Sequence, residues 1–302
     1  MSEQKDAELQ KSINEIDARM YELLMQRTEL VKQQSEANVV ANSLGREAAS
    51  IKRLLRAHKG DFPEYVVANS LGREAASIKR LLRAHKGDFP EYVIAKIWRE
   101  ILTASAFLNA KLKISLFGGQ EHDGCLVNIV QEHFGSNVEC ETFSSFGQVM
   151  NALTSGEAQL AVIPCDNHDI NQKPWWSAFS ASSGKHLQII AKLPFIRRKE
   201  VKDPEEVYVI SRSAPDKSGC DISLLSVEVE NEVSSSTVVE LLEEKGFKDV
   251  KVLLMVPFDS EGKSCLVEVN GYIQADDSRL SGFEECIKNI SVAGAYACPV
   301  IL

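Results

Sequence analysis

The sequence predicts a multidomain α + α/β protein: an N-terminal helical bundle, then a small α/β layer and a ferredoxin-like βαββαβ unit. Three observations carry this expectation. Apolar residues recur at gaps of three and four through the first third of the chain, which is the helical period. From Lys113 the pattern changes to short apolar runs alternating with helical stretches. Beyond residue 216 the alternation settles into strand, helix, strand, strand, helix, strand. The expected segments are therefore 1–111, 112–215 and 216–302.

The first helix is expected from about Asp6 to Ala41, with an apolar stripe of Leu9, Ile13, Ile16, Met20, Leu23 and Leu30. A tandem duplication follows: residues 39–65 recur unchanged as 66–92, a period of 27. Two copies are too few for a solenoid, which needs about three repeats to bury a continuous face. The duplication reads instead as one extra helix and loop inserted into a three-helix design. The second helix starts near Gly45 or Gly72 and stops at the Lys-Gly before Asp-Phe-Pro. The third starts at Pro90, a favourable first-turn residue, and carries Ile94, Ile97, Trp98, Ile101, Leu102 and Leu108 on one side.

In the α/β layer KISLF, ECETF and QLAVIP read as strands, with CLVNIVQEHF and GQVMNALTSG as the helices between them. That order implies parallel crossovers. In the last unit SLLSVEVE, VKVLLMVPF, SCLVEVNGYI and SVAGAYACPVI read as strands, and SSSTVVELLEEKGF and RLSGFEECIKNI as helices.

Composition narrows the function classes. Net charge is +3 over residues 1–111 and −12 over the remainder, which argues against nucleic acid or an anionic membrane as partner. No apolar run approaches a membrane span, and no leader is evident, so a cytoplasmic protein is expected. All seven cysteines lie beyond residue 120 without a CxxC pair, a pattern of reduced thiols. Cys165, Asp166, His168 and Asp169 have a spacing common by chance, so no metal and no cofactor is expected. Trp175 and Trp176 read as a packing or interface plug.

The chemistry shows where the helical stripes are broken. Arg27 falls four residues after Leu23 and three before Leu30. Glu47, or its copy Glu74, falls four before Ile51 or Ile78, with Arg46 or Arg73 beside it. Ser105 falls four after Ile101, with Asn109 one turn on. Each helix thus sends a polar group toward a shared space. A buried guanidinium requires a partner. Either Arg27 forms a structural ion pair with one glutamate, or the helices hold a pocket for an anion, since bundles build sites from facing side chains.

The series INEIDxxxxxLLxxR, GREAxxIxRLL and IWREIxxAS resembles the AroQ-type chorismate mutases, in the form fused to a prephenate dehydratase-like region in bacterial P-proteins. The resemblance covers residues 6–111. It implies that Arg27 binds a substrate carboxylate, that Arg46 and Glu47 or Arg73 and Glu74 contact the substrate, the glutamate through a hydroxyl, and that Ser105 joins them. Chorismate to prephenate is an intramolecular rearrangement, so preorganised cations and donors suffice, without nucleophile or metal. Where the family carries further site residues this chain has Gln10, with Lys11 beside it, Asn38 and Asn109; these are the substrate-binding candidates. The short loop into the third helix favours the second copy as the working one.

GEAQLAVIPCDN resembles a strand-and-turn of prephenate dehydratases, yet 112–215 is too short for both dehydratase lobes and lacks the Thr-Arg-Phe element. It reads as a reduced remnant. Residues 216–302, ending in GAYACPV, resemble an ACT domain, which implies dimerisation or an amino-acid effector. The resemblances together imply a homodimeric chorismate mutase. A non-catalytic metabolite-binding protein and a bifunctional mutase–dehydratase are the alternatives.

Overall fold

The computed structural model describes residues 2–36, 71–106, 112–118, 123–135, 138–165, 174–179, 187–200, 205–258, 262–283 and 286–302. The described residues fall into two compact units. One comprises α1 (Ser2–Glu36), the end of α2 (Leu71–Ala84) from Arg80, and the start of α3 (Glu91–Ala106) to Ile94. The other comprises the start of α2 to Lys79 and everything described from Ala95 onward. The first repeat copy lies outside the described residues, as does the stretch from 37 to 41 that was expected to continue the first helix.

In the first unit α1 packs with its more polar side inward. Arg80 donates to the Asn14 side chain at 2.8 Å, Tyr21 meets the Nδ1 atom of His85 at 2.5 Å, and Asp17 is buried. The predicted apolar stripe points the other way: Leu9, Ile13, Ile16 and Leu23 are 47–58% exposed. α2 ends at Ala84, and His85 continues the turn by donating its N–H to the Leu81 carbonyl. α3 begins one residue after Pro90, whose carbonyl accepts from Val93 and Ile94, and it buries Ile94 and Trp98.

The second unit is organised by a large mixed sheet. β1 (Lys113–Phe117) pairs in parallel with both β2 (Glu139–Phe143) and β3 (Leu160–Pro164). The crossovers are α4 (Asp123–Phe134) and α5 (Phe146–Ser155), as the sequence predicts. α5 stops where Gly156 takes a left-handed conformation at φ 85°. β4 (Gln188–Leu193) and β6 (Val207–Ser211) then extend the sheet in antiparallel fashion, while β5 (Ile196–Arg197) forms a separate pair with β11 (Val300–Ile301).

Beyond residue 216 come β7 (Asp221–Glu230), α6 (Ser235–Glu244), β8 (Lys251–Pro257), β9 (Gly262–Asn270) and β10 (Ile287–Ala297). Their order, β10-β7-β9-β8 with antiparallel neighbours, is the sheet a βαββαβ unit makes. Its second predicted helix does not form over the described residues. A short 3-10 turn, Ser278–Leu280, and Gly282 at φ 73° break the chain, and Ile287–Ile290 belong to β10. Ser234 caps α6 by accepting from the Thr237 N–H.

The 112–215 and 216–302 segments therefore share one sheet. The seam is the pairing of Gly294 on β10 with Ile189 on β4. Gly294 has φ 148°, and a Cβ there would overlap the backbone of Ile189. Only glycine fits this approach. One face of the sheet is covered by α5 and the Trp175–Phe179 turn, where Trp176 is fully buried and donates Nε1–H to Ser264 at 2.8 Å. The other carries α6, with Val238 and Leu242 over Leu225, Val227, Cys265 and Val267. The tryptophans are thus core.

Candidate functional site

Of the residues singled out in the sequence, Glu74 is the one whose surroundings the structure shows most fully. It sits in the first turn of α2, only 6% exposed. A carboxylate this deep needs a counter-charge, and Arg99 of α3 supplies it: Nη1 donates to Oε2 at 3.0 Å. Arg99 is itself 3% exposed and lies 5.1 Å from the centre of the Phe195 ring. Burial lowers the pKa of the guanidinium, and the charge and hydrogen bond of Glu74 oppose that.

Arg99 was not among the predicted residues. It lies off the stripe of Ile94, Ile97, Trp98 and Ile101, one turn after Ala95. The position matters. Six residues separate Arg99 from Ser105, about 240° beyond one full helical turn, so the two lie roughly 120° apart around α3. Glu74 thus meets a flank of α3 other than the one bearing Ser105.

The same end of α2 is fastened to the rest of its unit at two more points. A Cβ on Gly72 would overlap the Asp216 carbonyl, so helix and loop touch backbone to backbone. Lys79 donates to the Cys220 carbonyl at 3.3 Å and lies 5.7 Å from the Phe195 ring. A small cleft remains beside this helix, lined by Gly72, Ala75, Arg99, His133, Lys192 and Phe195 among others. Its space of about 20 Å³ is room for about one water. His133, on α4, is held neutral by burial and then by the charge of Arg99, which put its pKa well below 6.5.

The remaining candidates are placed more coarsely. Gln10 and Arg27 lie on α1, Arg73 on α2 and Ser105 on α3, and their side chains are outside the described set. Lys11 is exposed on α1. Asn38, Arg46, Glu47 and Asn109 lie outside the described residues, as do Asp166, His168 and Asp169.

A second, half-buried polar group, unforeseen in the sequence, sits on the shared sheet. Lys192 of β4 pairs with Glu206 at 2.9 Å and with Glu268 of β9 at 3.2 Å. Tyr296 of β10 donates to Glu268, and Arg197 pairs with Glu206. Burial lowers the Lys192 pKa, but the two carboxylates outweigh it and the net shift is upward. The Cys165 thiol beside Lys192 is pushed far above its ordinary range by burial. These ion pairs and the tyrosine hydrogen bond tie β4, β9 and β10 to the residue that leads into β6.

The described elements are thus a set of helices, with a buried carboxylate–guanidinium pair, and a mixed sheet. Residues 9–108 match the family chorismate mutase type II, whose members are isomerases. Three solved structures resemble the chain more loosely. A quorum-quenching acylase, GqqA, is 16% identical, with a TM-score of 0.43 covering 62% of this chain and 95% of its own. The Arthrobacter aurescens prephenate dehydratase solved with L-Phe is 14% identical, with a TM-score of 0.42 over 62% and 90%. The Streptococcus mutans prephenate dehydratase is 13% identical, with a TM-score of 0.42 over 63% and 100%. No curated protein matches the chain. Among the described residues no helix is long and apolar enough to cross a membrane.

Proposed function

We propose that the chain rearranges chorismate to prephenate in its helical segment, as a cytoplasmic homodimer serving aromatic amino acid biosynthesis. The observation that carries this reading is the family match over residues 9–108, which contains all three motif series. Arg27 binds a substrate carboxylate, Ser105 donates from α3, and one Arg–Glu pair from the repeat completes the site. Gln10, Lys11, Asn38 and Asn109 supply the remaining polar contacts.

The surroundings of Glu74 support the first copy as the working one. Its carboxylate is engaged by Arg99, its helix is fastened at Gly72 and Lys79, and the adjoining cleft has room for about one water. We assign catalysis to Arg46 and Glu47, and a docking role to the second copy.

The test is steady-state conversion of chorismate with identification of the product. Arg27→Ala is expected to lower kcat/KM about 100- to 1000-fold, the usual cost of removing one preorganised donor. Glu47→Gln is expected to lower kcat, whereas folded Glu74→Gln retains it. Loss of kcat in Glu74→Gln with none in Glu47→Gln reverses the assignment of the copies. Unchanged kcat/KM in Arg27→Ala removes the site from the helices.

The substitutions at Gln10 and Asn38, where the family has cations, favour one second reading, a metabolite-binding protein that keeps the fold. It is distinguished by chorismate binding without turnover. Residues 216–302 would then serve dimerisation or an amino-acid effector.

A further inference from the structure

At the open end of the β7–β10 ladder the chain places two thiols side by side. Asp221 faces Ala297 in antiparallel register, so Cys220 and Cys298, one step further along each strand, stand opposite each other. The Cys298 N–H donates to the Cys220 carbonyl at 2.8 Å, which holds the two backbones at ladder spacing. Opposed residues in such a ladder have Cα atoms about 4.5–5.5 Å apart. That lies inside the roughly 4.4–6.8 Å range that a disulfide bridges.

The local frame is set before any bond forms. Asp221 accepts from the Ser218 N–H at 3.0 Å and the Gly219 N–H at 3.2 Å, and Gly219 turns the chain at φ 85°. Cys220 is exposed, while Cys298 is partly buried and its pKa is pushed up to about 12 by burial and by Cys220. The charge of Lys79 acts in the opposite direction on Cys298. Neither thiol belongs to a core cluster, in contrast to Cys265.

We propose that Cys220 and Cys298 are a redox modification site, closed to a disulfide by a small peroxide and reopened by a thiol reductant. Cys220, the accessible member, attacks one peroxide oxygen; the O–O bond breaks, and for hydrogen peroxide one water leaves. The Cys298 sulfur then attacks the sulfenic sulfur, giving up its proton as the hydroxyl departs as a second water. Two thiols and one hydrogen peroxide give one disulfide and two waters. The bond ties the first strand of the last unit to its final long strand, next to the point where Lys79 fastens α2.

The experiment treats the reduced full-length chain with a slight molar excess of hydrogen peroxide, followed by non-reducing peptide mapping by mass spectrometry. The expected product is a peptide linked through Cys220 and Cys298, lighter by two hydrogens and restored by dithiothreitol. Thermal unfolding of the oxidised wild type is expected to shift upward. Cys220→Ser and Cys298→Ser, both outside the proposed catalytic machinery, should each abolish the link and the shift, and Cys125→Ser should abolish neither. Oxidation of Cys220 and Cys298 to separate sulfinic acids, or linkage to other cysteines in place of each other, would overturn the proposal.

Discussion

Along α1, Leu9, Ile13, Ile16 and Leu23 stand about half exposed, whereas every residue of β3 and β6 is buried. Both regions read from the sequence as apolar faces in need of cover. The sheet finds its cover within the chain, from α5, α6 and the tryptophan turn. The described part of α1 does not. Four half-exposed aliphatics in one stripe form a surface of the kind that marks an interaction site. The difference teaches that the sheet unit covers its apolar faces within the described chain, while the described part of α1 leaves its stripe exposed; a second copy of the chain is the occupant the proposed homodimer would supply.

The sharpest way to break the comparison is to damage the closed side. Glu74→Gln leaves the Arg99 guanidinium buried without its counter-charge, which costs about 3–5 kcal/mol. Chemical denaturation should show that loss, and the double variant Glu74→Gln with Arg99→Met should recover part of it. Gly294→Ala forces a side chain into the β4–β10 seam in a conformation that L-residues avoid, and is expected to cost about 2–3 kcal/mol. Amide exchange should then quicken in β10 and β4 before it does in β1.

The open side is tested more gently. Ile13→Glu with Ile16→Glu should leave the monomer's stability within about 0.5 kcal/mol, because both positions are exposed. Sedimentation should nonetheless show a weakened dimer. An unchanged dimer would place the interface elsewhere.

The smallest effect concerns pH. The pKa of His133 is lower in the folded state than in the unfolded one, so the unfolded chain binds more protons. Its contribution is therefore fully present above about pH 6.5 and is lost as pH falls from there toward the folded value. Unfolding curves from pH 7 to pH 5 should show that slope, and His133→Gln should flatten it.

How much was legible depended on how local the signal was. β1, α4, β2, α5 and β3 could be read because each strand is short, apolar and bounded by a helical stretch. The missing second helix of the last unit misled because Cys286 and Ile290 repeat at a helical gap, while Gly282 and the pairing of β10 with β7 decide otherwise. The continuous sheet was hidden because its seam rests on an absent side chain, that of Gly294, opposite a residue about a hundred positions away. The polarity of Glu74 was visible, but its partner was not. Arg99 is off the stripe, and only the packing of α2 and α3 brings it within 3.0 Å. Which side of α1 faces inward was equally hidden, because an apolar stripe announces burial without naming the chain that provides it.

The central claim is that the helical segment is a chorismate mutase completed by a second chain. Its most direct test is prephenate formation from chorismate by the purified full-length protein, followed over a wide range of chain concentration. The account expects prephenate, with turnover per chain falling on dilution as the dimer separates. A folded, dimeric protein that forms no prephenate, or a turnover per chain that persists in a proven monomer, would contradict it.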